Sequence, residues 1–156
     1  MRTNSINSKN KLENVLIIGN GGRENSLAWA IQKNELIKNI YLLPGNAGST
    51  RINKSKRIDL DFNDTKSLIK HVSDLDIDLV IIGPENPLAM GLADTLREKK
   101  FKVFGPGADG AKLESSKSWA NKFMEDANIP TAKFWKVNSI KDAQKNMISF
   151  SFVLLF

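Results

Sequence analysis

An α/β fold built on a doubly wound parallel sheet is predicted by three observations. Short continuous apolar runs at 14–18, 39–43, 78–82 and 101–104 have the pattern of strands covered on both faces. Stretches of helical period alternate with them, which implies βαβ units with right-handed crossovers. The first three runs each end in a polar, glycine-bearing turn, and in such sheets ligands bind beyond the carboxyl ends of the strands, where strand order reverses.

The first strand, Asn14-Val-Leu-Ile-Ile18, runs into Gly19-Asn20-Gly21-Gly22-Arg23-Glu24, and a helix follows whose Leu27, Ala28 and Ile31 share a face. Strand, glycine turn and helix together make an anion site, because a helix N-terminus presents unpaired N–H groups and glycine lets a phosphate approach the backbone. The second strand ends in Pro44-Gly45-Asn46-Ala47-Gly48. A mere corner would be short, yet about a dozen residues precede the next apolar segment, so a functional loop is expected here. Asn46 supplies it with an amide that can both donate and accept. A brief strand is expected near Arg57-Ile58-Asp59. A helix capped by Asp64 then turns Leu68, Ile69, Val72 and Leu75 inward.

The strand at 78–82 leads into Gly83-Pro84-Glu85. The Glu85 carboxylate either receives a substrate amine or hydroxyl or favours the neighbouring helix end. That helix is expected to have Asn86 as cap, Pro87 at its first position and Leu88, Leu92 and Leu96 on its inner face. The run at 101–104 completes the sheet. Beyond Gly105-Pro106-Gly107 a helix is expected at 116–127, with Trp119, Phe123 and Ala127 on one face, followed by a strand at 131–137. A second helix from Ser139 is expected to carry Ile140, Ala143, Gln144 and Met147 toward a core. The apolar run at 149–156 has no turn or polar tail after it and reads as an unfinished domain, with pairing to 131–137 as the alternative. Trp29, Trp119 and Trp135 are expected in the core.

Composition narrows the function classes. The chain of 156 residues, 41% hydrophobic and 26% charged, suits a soluble globular protein of one ordinary domain. With no cysteine, disulfides, zinc–thiolate sites and a cysteine nucleophile are excluded. The formal charge of +6 attracts anions, but the lysines are scattered and lack aromatic interleaving, so no nucleic-acid partner is expected. No apolar run reaches the roughly 18 residues of a membrane span, so no membrane partner is expected either. Residues 1–11 read as a disordered, solvated tail without a secretory signal, and a cytoplasmic location is expected; an organellar presequence would share the tail's acid-free look but is usually longer.

The dinucleotide fingerprint fits in part. Gly19 and Gly21 match its first two glycines, while Glu24 occupies the place of the third and no acidic residue ends the second strand. A dinucleotide-binding oxidoreductase domain therefore stands as an alternative, beside a non-catalytic phosphosugar- or nucleotide-binding or interaction module. His71, the single histidine, lies mid-helix among apolar residues and is expected to be structural. No nucleophile–base constellation and no protein-built metal site is visible, so no catalytic residue is assigned.

Taken in order, the turns resemble the amino-terminal part of the phosphoribosylamine–glycine ligase family. The resemblance covers Val15 to about Lys145. It rests on Gly19-Asn-Gly-Gly-Arg-Glu24, Pro44-Gly-Asn-Ala-Gly48, Gly83-Pro-Glu-Asn-Pro-Leu88 with Gly91 and Asp94, Phe104-Gly-Pro106, Leu113-Glu-Ser-Ser-Lys117, Phe123-Met124 and Ile129-Pro-Thr-Ala132. It implies a Rossmann-like pre-ATP-grasp domain at 12–106, then a linker and the incomplete start of an ATP-grasp domain at 107–156. By the same resemblance residues 19–24, 44–48 and 83–85 bind phosphoribosylamine, Lys117 lies near a nucleotide, and ATP with magnesium activates the glycine carboxylate as an acyl phosphate.

Two departures bear on function. Asn25 stands where the family pattern continues with histidine, removing a titratable group from the first turn. After Phe150 the family's lysine-bearing strand, glycine-rich loop and acidic magnesium ligands do not follow, so the chain reads as truncated or frame-shifted. It is expected to be inactive alone and to hold no cofactor tightly, with a separately encoded ATP-grasp part as a possible partner.

Overall fold

The computed structural model describes residues 12–148, and the expectations for 1–11 and 149–156 lie outside that range. The chain divides into two compact units, the first ending at Ser115 and the second beginning at Ser116.

The first unit is a five-stranded, all-parallel sheet in the order β3-β2-β1-β4-β5. Its strands are β1 (Asn14–Gly19), β2 (Asn39–Pro44), β3 (Ser55–Arg57), β4 (Leu79–Ile82) and β5 (Val103–Phe104). Successive side chains of a strand point to opposite faces, so an apolar run buried throughout must be covered twice. Leu16, Ile18, Tyr41, Leu43, Val80 and Ile82 pack on one face under α2 (Thr65–Asp74), α3 (Glu85–Ala89), α4 (Leu92–Glu98) and α5 (Ala108–Ser115). Val15, Ile17, Ile40, Leu42 and Ile81 pack on the other, against Ala28 of α1 (Gly22–Ile31) and the connecting residues Ile37 and Ile52.

The chain moves outward from β1 to β2 and β3, then crosses to the far side of β1 for β4 and β5. Strand order therefore reverses between β1 and β4. At the opposite, amino-terminal edge Asp78 accepts the N–H groups of Glu13 and Asn14 at 2.8 and 2.9 Å, and Asn39 Nδ2 donates to Asn14 Oδ1 at 2.8 Å. These bonds fix the strand register from below.

Helix α2 starts as expected: Asp64 caps it, its carboxylate accepting the Ser67 N–H at 3.1 Å. The stripe Leu88, Leu92 and Leu96 is buried, but it belongs to two helices rather than one. Gly91 adopts φ +82, donates to Leu88 O and accepts from Thr95 N, ending α3 and opening α4. Only glycine takes this left-handed conformation without a Cβ penalty, and the two short helices keep their leucines inward across the break. The cap of α3 is Pro84 and not Asn86, which places Pro87 third in the helix, where a missing N–H still costs nothing. Strand β3 lies two residues earlier than expected, at 55–57, and β5 is only two residues long.

In the second unit α6 (Lys117–Asp126) is capped by the Ser116 hydroxyl, which accepts the Trp119 N–H, and α7 (Ile140–Ile148) follows Ser139, whose hydroxyl accepts the Asp142 N–H. Trp119 and Phe123 stack at 5.3 Å between ring centroids. Residues 131–137 form no strand, because nothing among the described residues offers their backbone a ladder. Ile140 and Met147 of α7 are exposed, contrary to the expectation that they face a core. Trp29, Trp119 and Trp135 are also exposed; Trp29 instead carries the Lys33 ammonium 3.3 Å above its ring.

Candidate functional site

Register brings the three turns together. Gly19 is level with Pro44, and Ile18 with Ile82, so β1, β2 and β4 end on one line. Gly45 N–H donates to Gly19 O at 3.2 Å and Gly83 N–H to Ile18 O at 3.0 Å, closing both seams above the sheet.

Glu24 wedges the first turn against the third. Its side chain is buried, and Oε2 accepts the Gly21 N–H at 2.7 Å while Oε1 lies 3.1 Å from Arg23 Nε. A Cβ on Gly83 would sit 1.9 Å from Glu24 Oε1, one on Gly19 2.6 Å from Glu24 Cγ, and one on Gly21 2.8 Å from Oε2. Three glycines thus make room for one carboxylate at the point where strand order reverses. Arg23 completes the brace: Nη2 donates to Gly83 O and lies 4.0 Å from Glu85 Oε2.

Asn46 joins the second turn to the first. Its Nδ2 donates to Asn20 O at 2.9 Å and Gly21 O at 3.2 Å, and its Oδ1 accepts the N–H groups of Gly48 and Ser49 at 2.8 and 3.2 Å. Both functions foreseen for this amide are used inside the protein. Buried Ser49 anchors the loop from beneath by accepting the Asn46 N–H at 2.9 Å. The Leu43–Pro44 peptide is cis and Gly45 has φ +67. Ala47 is exposed at the loop tip, and Gly48 packs against Asn25, whose buried Oδ1 has no hydrogen-bond partner.

What remains open on this edge is specific. Asn20, Gly22 and Arg23 are exposed, and a Cβ on Gly22 would meet nothing within 4 Å. Glu85, in the first turn of α3 after Pro84, keeps its side chain 46% exposed, so its carboxylate reaches the edge. Lys117 is exposed at the start of α6 in the second unit. His71 is half-buried, with Nδ1 2.9 Å from Ser67 O, the structural role expected of it. Among the described residues no group of three or more histidine, aspartate or glutamate side chains could hold a metal ion.

One residue of this edge escaped the sequence reading. Arg57 ends β3, and its Nε donates to Pro44 O at 2.9 Å with its stem beside Gly45. A strand at 57–59 would have put Arg57 at the amino end of the sheet, away from the turns. The two-residue shift puts it at the carboxyl end.

Fold and edge define a class: a doubly wound α/β domain whose glycine turns line the carboxyl end of the sheet around a strand-order reversal. Within that class the chain belongs to the family described as phosphoribosylglycinamide synthetase, N domain, whose model matches residues 13–114. It is 42% identical over 120 residues to phosphoribosylamine–glycine ligase of Clostridium acetobutylicum, covering 77% of this chain and 28% of that protein. It is also 42% identical over 123 residues to the trifunctional purine biosynthetic protein adenosine-3 of Drosophila pseudoobscura pseudoobscura, covering 77% of this chain and 9% of that protein. The crystal structure of phosphoribosylamine–glycine ligase from Thermotoga maritima matches with a TM-score of 0.65 at 29% identity, over 88% of this chain and 31% of that one. The chain thus spans less than a third of the length of these relatives.

Proposed function

We propose that the first unit is the phosphoribosylamine-binding part of an ATP-dependent phosphoribosylamine–glycine ligase acting in purine biosynthesis in the cytoplasm. The observation that carries this reading is the convergence of residues 19–24, 44–48 and 83–85 on one edge around Gly22, the glycine of the first turn that packing does not demand. A glycine facing open space at a helix start leaves a small phosphorylated sugar free to approach the backbone. Glu85 faces the same edge and suits the amine or a hydroxyl of that sugar. The glycine substrate, ATP and magnesium belong to the proposal at the level of the whole ligase, with 12–106 as the pre-ATP-grasp domain and 107 onward as linker and start of the ATP-grasp fold.

By this proposal the 156 residues alone bind substrate and do not ligate, and a separately supplied ATP-grasp part restores turnover. ATP- and glycine-dependent phosphate release by the isolated chain would refute that statement. Binding is tested by following amide chemical shifts during titration with ribose 5-phosphate, in the wild type and in Gly22→Ala. The wild type shifts at 19–25 and 44–48, and Gly22→Ala keeps its stability while losing affinity. Absent shifts in the wild type would refute the site. A dinucleotide fits less well, because Glu24 stands where the third fingerprint glycine would allow close helix–strand packing and no acidic residue ends β2 to hold ribose hydroxyls.

A further inference from the structure

We propose that Arg57 is the phosphate-recognising residue of this edge and so sets the direction in which the phosphosugar lies; the inference rests on the phosphosugar reading above. Two arginines are held to the turns of this edge by side-chain hydrogen bonds, Arg23 to Gly83 O and Arg57 to Pro44 O, and they are differently committed. Arg23 is turned onto Glu24, Gly83 O and Glu85. Among the described residues Arg57 engages Nε alone, on Pro44 O, and no carboxylate lies within salt-bridge distance of it. Its exposed guanidinium keeps its terminal N–H groups for an anion, in the planar fork that matches phosphate oxygens.

The edge is therefore polar along its length. Acid gathers above β4, where Glu85 reaches solvent and Glu24 is buried beneath, whereas the uncommitted positive charge lies above β2, to which the Pro44 bond holds Arg57. Strands β2 and β4 flank β1, two strand spacings apart, or about 10 Å. A pentose bearing a phosphate at one end and an amine or hydroxyl at the other matches both the span and the polarity. The phosphate lies toward Pro44 and Arg57, the anomeric substituent toward Glu85, and the ring crosses Gly22.

Titration of the full chain with ribose 5-phosphate, followed by amide shifts, tests this in the wild type, Arg57→Gln and Arg57→Lys. Arg57→Gln is expected to weaken binding about tenfold to a hundredfold, the range of a charge-assisted contact. Arg57→Lys, which keeps the charge without the Nε bond, is expected to lose only a few-fold. In both variants, shifts at 83–85 persist at saturation. Wild-type affinity in Arg57→Gln would overturn the proposal while leaving the phosphosugar reading intact. Equal loss in both variants would overturn it too, by assigning the effect to the Pro44 bond. No binding by the wild type would remove the reading beneath it.

Discussion

Gly83→Ala is the substitution whose effect the structure defines most sharply. The added methyl carbon would lie 1.9 Å from Glu24 Oε1 and 2.6 Å from Glu24 Cδ. The end of a flexible side chain can usually step aside, but here Gly19 and Gly21 close on it from two other directions and both of its oxygens are engaged. Relief requires either that the β4 turn lift from β1, breaking the Gly83 N–H bond to Ile18 O, or that Glu24 leave its partners. Overpacking costs about 1–3 kcal/mol and a buried polar group left without its partner about as much again, so a loss near 3 kcal/mol is expected. Against a total of about 5–15 kcal/mol that is severe, and it lowers Tm by roughly 10 °C or more. Urea unfolding followed by far-ultraviolet circular dichroism measures it. Glu24→Ala/Gly83→Ala supplies the cross-check: with the carboxylate gone, the methyl has room, and the two effects should fall short of additivity by at least about 1 kcal/mol. A Gly83→Ala protein within about 0.5 kcal/mol of the wild type would refute the wedge.

Other substitutions probe separate links. Asn46→Ala removes two donors and an acceptor of two N–H groups between the turns, and should cost about 2 kcal/mol and move the amide shifts of 19–22; unchanged shifts would show that the turns are not coupled through it. Gly91→Ala should lose about 1 kcal/mol by backbone strain alone, since the nearest atom to its Cβ is 4.0 Å away, and Gly91→Asn should lose less by thermal denaturation. The Asp64 carboxyl is held below its ordinary value of 3.8 by the side-chain and backbone hydrogen bonds of Ser67. Because that folded-state value is depressed, its contribution is present above the unfolded value and is lost as pH falls through the folded one. Tm measured from roughly pH 5 to pH 2 should therefore fall less steeply in Asp64→Asn than in the wild type.

The sheet was legible because its evidence is local. A run such as Val15-Leu-Ile-Ile18 can be buried on alternating faces only between two layers, and Asp64 caps α2 through its own neighbour Ser67. Contacts made across the fold left little trace. Glu24 looked like a missing glycine of a nucleotide turn, and only its approach to Gly83, far along the chain, shows why carboxylate and glycines occur together. Arg57 was overlooked because a strand boundary moved by two residues reverses the end of the sheet to which a side chain belongs. The leucine stripe of α3 and α4 hid a break, since a period of four survives when two short helices share one inner face. The tryptophans were assigned to the core from their places on helix and strand faces, yet Trp29 lies over solvent with Lys33 against its ring.

The internal saturation of Asn46 and Glu24 has a thermodynamic corollary. Backbone amides that elsewhere wait for a ligand before settling, those of Gly21, Gly48 and Ser49, are here already held by the Glu24 carboxylate and the Asn46 amide oxygen when the chain folds, so the shelf on which a guest would rest is finished in advance. The entropy of ordering those loops is charged to folding and not to capture, which favours fast, rigid docking over closure of a mobile flap. Calorimetry on such a shelf should record a small heat-capacity change, because little apolar surface is left to be covered when the guest arrives.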